Sequence, residues 1–214
     1  MSKDKQATRD RILDAAERLF AEKGFEGVSV RKITRAADAD VSLAYYHFKS
    51  KRDLFDQVML RRVDYLNEIR FKALEEVERR HTNDQATLEE IVSAVTSPLL
   101  ELLASDHEEW KYYLQLVAQI NSSPAMGGEL MTRYFDPLIQ KFLSVVRENI
   151  PECDDVDLYW AYHFMSGALT LTFAETGRID NLSGGMCRSS DMVAINERMP
   201  RFLAAGFRAL CEKT

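Results

Sequence analysis

Asp40-Val41-Ser42-Leu43-Ala44-Tyr45-Tyr46-His47-Phe48-Lys49-Ser50-Lys51 is the stretch on which the reading of this 214-residue chain turns. Its apolar positions predict a helix from Val41 to Phe48, too short to be stable alone. Asp40 can accept the orphan amides at its start. Small side chains near the helix N-terminus let a backbone approach base edges in a major groove, while aromatic hydroxyls, an imidazole and lysines reach flanking phosphates. Tyr45, Tyr46 and Phe48 could instead be plain core. A helix this short, however, cannot bury every aromatic it carries.

Working upstream, Asp38 tolerates the left-handed conformation better than most residues and can make a sharp turn before Asp40. Ser29 can cap a short helix, Val30 to Ala37, with a narrow apolar stripe at Val30, Ile33, Ala36 and Ala37. From Thr8 to Lys23, Ile12, Leu13, Ala16, Leu19 and Phe20 recur at helical spacing. Thr8 is the expected N-cap, and Gly24 the expected left-handed stop, with Phe25 packing back on the turn. Two short helices joined by a tight turn and braced by a longer one form a helix-turn-helix.

Downstream, Ser50-Lys51-Arg52-Asp53 predicts a capping box with Asp in place of Glu, opening a long helix from Lys51 to about Arg80. Leu54, Phe55, Val58, Leu66, Ile69 and Leu74 mark its buried side. Further caps are expected at Thr87 and at Ser105, the latter with Glu108 as its partner. Ser123-Pro124 and Gly127-Gly128 predict breaks, followed by helices from about Glu129 to Asn149 and Asp157 to Thr176. Pro137 and Pro200 must each start a helix or kink one. The polar stretch from Gly177 to Asp191 predicts a loop, and a last helix runs through Phe202, Leu203, Ala205, Phe207 and Leu210.

Composition agrees with an all-α fold. Hydrophobic residues make up 46% and charged residues 29%, and nine glycines with five prolines leave little room for the turns of an all-β protein. No stretch approaches the ~20 apolar residues of a membrane span, which predicts a soluble cytoplasmic protein. Cys153, Cys187 and Cys211 are odd in number and widely spaced, so idle or buried thiols are expected rather than a disulfide framework or zinc site. The net charge of −6 conceals an asymmetry: residues 1–51 carry eleven Lys or Arg against eight Asp or Glu, and the rest of the chain is net acidic. A basic head on an acidic body suits a chain of which only the first quarter approaches phosphate.

Gly24-Phe25, Ser29-Val30-Arg31-Lys32-Ile33 and Tyr45-Tyr46-His47-Phe48-Lys49-Ser50-Lys51, in that order and at those separations, resemble the DNA-binding domain of the TetR family of transcriptional regulators. The resemblance covers residues 8–60. It implies a helix-turn-helix domain over residues 1–51, linked by the helix 51–80 to a helical ligand-binding and dimerisation domain over 52–214. Carried over by residue, Ser29 and Arg31 would contact DNA, Val41, Ser42 and Leu43 would face base edges, and Tyr45, His47 and Lys51 would hold phosphates, with Tyr46 near a base or sugar. Apolar Val41 and Leu43 favour thymine methyl groups. The family usually has Gly where this chain has Asp38 and Val where it has Ala39, which leaves the turn less packing volume.

The resemblance further implies a homodimer on a palindromic double-stranded operator, each subunit reading a half-site one helical turn (~34 Å) or slightly more from the other. The family's dimer is a four-helix bundle of the last two helices of each subunit, so Gly167, Ala168, Ala204, Ala205 and Gly206 are candidate interface positions. A small-molecule effector, apolar or aromatic, with or without a carboxylate or acyl chain, is expected among the middle helices. Trp110, Tyr113, Leu114, Val117, Phe135, Phe164, Met165, Leu169 and Phe173, with Met131, are the candidate lining. A repressor released by that effector is the expected function.

A helical enzyme is the competing class. Its residues would be His107 with Glu108 and Glu109, or His163 beside Tyr159 and Tyr162. The first set lacks the second His of a zincin helix, and there is no phosphate-binding glycine loop, nucleophile elbow or metal-spaced Cys/His set. No catalytic residue, cofactor or metal is expected. A dimeric adaptor that keeps the helix-turn-helix but has no cavity is the third reading.

Overall fold

A computed structural model describes residues 3–81 and 86–211, with side chains from Gln6 onward. Every element among these residues is a helix: α1 (Lys3–Lys23), α2 (Val30–Ala36), α3 (Val41–His47), α4 (Lys51–Arg80), α5 (Leu88–Ala104), α6 (Glu108–Asn121), α7 (Gly127–Asn149), α8 (Asp155–Ala174), α9 (Arg178–Leu182) and α10 (Met192–Cys211). The first three form a small helical head that α1 braces. α4 runs from it into the body, where α5 lies between α4 and α10, and α6 lies between α1 and α8. Buried apolar residues from Ile12 to Cys211 make one connected core.

Local chemistry sets most boundaries. Ser29 Oγ accepts from the Lys32 amide, Asp40 Oδ1 from Ser42 at 2.7 Å, and Ser50 Oγ from Asp53 at 3.0 Å. The Asp53 carboxylate accepts from the Lys49 amide at 2.8 Å. Thr87 and Glu90 complete a full capping box at α5. Gly24 takes φ 70° and Asp38 φ 48°, both in the left-handed region expected of them.

Several boundaries differ from expectation. α1 starts at Lys3, so Thr8 lies inside it rather than capping it. Ser105 ends α5 instead of opening α6: its hydroxyl donates back to the Leu102 carbonyl at 2.6 Å, and His107 precedes α6 with no side-chain cap. Gly127 opens α7 rather than breaking the chain before it, because a Cβ there would lie 2.9 Å from the Ile120 carbonyl oxygen; only glycine permits that approach. α8 begins and ends two residues earlier than predicted, and the expected loop 177–191 contains the short α9. Pro137 and Pro200 sit inside α7 and α10, so neither starts its helix.

The cysteines also depart from expectation. Cys153, in the turn between α7 and α8, is joined to Cys211 at the end of α10 by a disulfide across 58 residues of sequence. Cys187 is free and exposed. An odd total excluded a complete framework but did not exclude one pair brought together by tertiary packing.

Candidate nucleic-acid interface and effector cavity

α3 divides its residues between two environments. Ala44, together with Phe48 just beyond the helix, is buried and anchors it to α1 and α2. Ser42, Tyr45 and Tyr46 face outward, the tyrosines 58% and 62% exposed, while Val41, Leu43 and His47 are half-buried. Ser29 and Arg31 at the start of α2 are exposed as well. Hydrogen bonding with Ser42, side chain first and backbone second, holds the Asp40 carboxyl below its ordinary range, so the α3 cap is charged at neutral pH.

Lys51 is held loosely by two neighbours. Its ammonium lies 4.2 Å from the centroid of the Phe25 ring and 3.9 Å from the Glu26 carboxylate. Phe25 in turn packs edge-on against Phe55, with centroids 5.0 Å apart, and Phe20 meets both rings. This cluster joins the turn after α1 to the first turns of α4.

The head meets the body through a polar joint that sequence reasoning did not find. Glu17 on α1 is 2% exposed and accepts two hydrogen bonds from Arg62 on α4, at 2.8 and 2.9 Å. Arg62 lies 5.0 Å from the Trp110 ring on α6, which stacks on Tyr65 at 5.4 Å. Burial pushes the Glu17 carboxyl up in spite of Arg62 beside it. Tyr113 is completely buried and donates to the Met59 carbonyl at 3.0 Å. Gln119 donates to the Ala21 carbonyl.

A cavity of about 50 Å³ lies deeper, among α4, α5, α6, α7 and α8. Leu114, Val117, Phe135, Met165, Leu169 and Phe173 line it, as does Met131. Three predicted lining residues do not. Trp110 and Tyr113 serve the joint instead, and Phe164 points away from the body, 58% exposed. The polar members of the lining, Arg70, Asn121, Tyr162, Ser166 and Thr170, were also missed. Arg70 did leave a signal: it stands four residues after Leu66 and four before Leu74, on the buried stripe of α4.

The candidate interface positions separate by face. Gly167, Ala205 and Gly206 are exposed and Ala168 is half-buried, whereas Ala204 is fully buried within its own chain, its methyl facing the core rather than a partner. Beside the outward positions stand Trp160, Phe164 and Leu171 of α8 and Phe202 of α10, all more than half exposed. No helix among the described residues is long and apolar enough to cross a membrane.

Known proteins place this architecture. A protein described as "Probable HTH-type transcriptional regulator YttP", from Bacillus subtilis (strain 168), is 28% identical over 145 residues, 68% of this chain. The biofilm operon icaADBC negative transcriptional regulator IcaR of Staphylococcus aureus (strain Newman) is 38% identical over 61 residues, 28% of this chain. The matches span 66% and 33% of the lengths of those relatives. In structure, a TetR-like transcriptional regulator from Rhodococcus sp. RHA1 superposes with a TM-score of 0.63 at 16% identity, covering 96% of this chain and 97% of that one, which establishes the shared fold. Residues 12–58 match the family described as bacterial regulatory proteins, tetR family, and residues 93–206 match the tetracyclin repressor-like C-terminal domain. With the second match alone covering more than half of its length, the chain belongs to the TetR family.

Proposed function

We propose that the chain is a homodimeric, ligand-responsive transcriptional repressor, in which residues 1–51 bind a palindromic operator and residues 52–214 bind an apolar or aromatic effector and the second subunit. The observation that carries the DNA half is the outward display of Ser42, Tyr45 and Tyr46 on a capped seven-residue helix. Two adjacent tyrosines left in water by a chain with an ample core suit an external partner. Ser29, Arg31, Val41, Leu43 and His47 stand on the same pair of helices. Lys51 reaches a phosphate by exchanging its weak, exposed contact with Glu26.

The dimer half rests on α8 and α10. α8 buries Leu158, Ala161, Met165, Leu169 and Phe173 in its own chain and leaves Tyr159, Trp160, Phe164 and Leu171 exposed. A helix of that kind needs cover on both faces, and a second copy presenting the same patch supplies it with two-fold symmetry. Effector release would then be a population shift: ligand bound among α4 to α8 moves the head relative to its dimer mate and misfits the two α3 helices to their half-sites. A typical coupling of ~1 to 3 kcal/mol changes operator affinity about 5- to 150-fold.

Selection of bound duplexes from a random pool by the full-length protein, followed by anisotropy titration across salt, tests the reading. Lys51→Ala is expected to weaken binding to every sequence and lower the salt slope by about one. Ser42→Ala is expected to change preference at one base pair. Failure to enrich any duplex, with no binding at low salt, would refute it.

A further inference from the structure

Arg70 is the most anomalous side chain in the body. It is 5% exposed, in the C-terminal half of α4, and lines the cavity with leucine, methionine and phenylalanine around it. A guanidinium carries five N–H donors and a permanent charge. Among the described residues its hydrogen bonding amounts to one contact, from Nε to the Val95 carbonyl at 2.9 Å, and no carboxylate lies within ion-pair distance. Tyr162, whose ring also lines the cavity, is the nearest electrostatic partner. Burial depresses the Arg70 pKa to about 10, which still leaves it charged at neutral pH. A bare buried charge costs several kcal/mol unless an anion and hydrogen bonds meet it. By contrast, the basic groups at the head–body joint have acids: Arg62 has Glu17 and Arg61 has Asp14 at 2.6 Å.

We propose that Arg70 is an anchor for the effector's carboxylate, so that the effector is an amphiphilic acid whose apolar body lies among Leu66, Leu114, Val117, Met165 and Phe173. This rests on the reading of the C-terminal domain as an effector domain and names the chemical class it accepts. A planar guanidinium offers a carboxylate two parallel hydrogen bonds, and the Tyr162 hydroxyl stands on the same wall. The cavity of about 50 Å³ is much smaller than the ~300 Å³ at the lower end for ligand sites, so the acid enters by displacing side chains of α6 and α8. The way in is also marked. Asn121, Ser166 and Thr170 line both this cavity and an open groove of about 720 Å³ bounded by α1, α6 and α8. Asn121 donates to Ser166 Oγ at 2.9 Å and to Thr170 Oγ1 at 2.7 Å, forming a polar latch between the two spaces.

The test uses the full-length protein and matched probes: decanoate, dodecanoate and 4-phenylbutanoate against their primary amides, measured by calorimetry and by thermal shift. At least one acid is expected to bind and raise the melting temperature, with its amide roughly 10- to 100-fold weaker, the loss typical of a charge-assisted pair. Arg70→Met keeps the stem, removes the charge, and is expected to abolish the difference between acid and amide. Tyr162→Phe, which leaves Arg70 in place, is expected to retain most of it, so that selectivity can be read even if Arg70→Met folds poorly. Equal binding of acids and amides by the wild type overturns the inference while leaving the cavity as an effector site. Binding of neither class overturns the inference together with that reading of the cavity.

Discussion

The Glu17–Arg62 pair joins the DNA-binding head to the body, and its removal can be worked through from the geometry. The carboxylate is 3% exposed, the guanidinium 14%, and two hydrogen bonds of 2.8 and 2.9 Å connect them. Glu17→Met strands Arg62 in a largely dry environment, and Arg62→Met strands Glu17; either should cost about 3 to 5 kcal/mol. Arg62→Met also forfeits the contact with Trp110, about 0.5 to 2 kcal/mol more. At about 2 to 4 °C per kcal/mol for a chain of this size, Glu17→Met should melt roughly 6 to 20 °C lower and Arg62→Met roughly 7 to 28 °C lower. The double variant should recover most of that loss, because an apolar pair of similar volume replaces a desolvated ion pair at little cost. The raised Glu17 pKa points the same way. A carboxyl raised by burial contributes stability below the ordinary carboxylate range and loses it as pH rises through the folded value, so the double variant should gain on the wild type across that window. Thermal and urea melts of all four proteins, at one fixed protomer concentration, complete the cycle. Single costs that simply add, with no coupling, would refute the view of this pair as a desolvated ion pair.

Asp38→Gly should stabilise by about 0.5 to 1 kcal/mol, since a left-handed residue at φ 48° is replaced by the residue least strained there; a rise of about 1 to 4 °C in melting temperature is the readout, and a fall would show that the Asp side chain supports the turn. Glu90 is held down to about 2, first by Thr87 and then by His81, so its capping-box contribution is present above about pH 4.5 and lost as pH falls toward 2. Accordingly, the stability gap between the wild type and Glu90→Gln should narrow over that acid range, and a gap that does not vary with pH would contradict the assignment. Phe202→Glu should leave the fold of one chain intact, because this ring is 73% exposed, yet place two carboxylates in a symmetric interface. Sedimentation should then show dissociation to monomers, and an unchanged dimer would exclude α10's outer face as the contact.

The head was legible because its chemistry is local. Ser29, Asp38, Asp40 and Ser50 each act on amides or dihedrals within three residues, and each occupies its expected role. The start of α1 was not legible, since Thr8 serves equally inside a helix or at its cap. In the body, the unreadable features depend on distant neighbours. Gly127 is a breaker by propensity but in fact starts α7 close against the last carbonyls of α6, and Cys153 finds Cys211 only after α10 folds back. α8 carries apolar groups all round, so periodicity could not tell Met165, which faces the cavity, from Phe164, which faces outward. Polar lining residues were passed over because apolar matching does not search for them, although Arg70 in the α4 stripe broke that pattern openly.

What links the two ends of the molecule is the double use of α6. One face of this 14-residue helix gives Leu114, Val117 and Asn121 to the cavity. Its other face gives Leu116, Gln119 and Ile120 to the groove beside Gly24 and Phe25, with Gln119 bonded to the α1 backbone at Ala21. Packed interiors resist compression, so a guest that widens the cavity on one side of α6 must move the helix or its neighbours. α1 and α8 are the two elements that α6 packs against most extensively, and α3 is braced against α1. On the proposed reading, a guest that displaces α6 would reach α3 through one intervening element, α1.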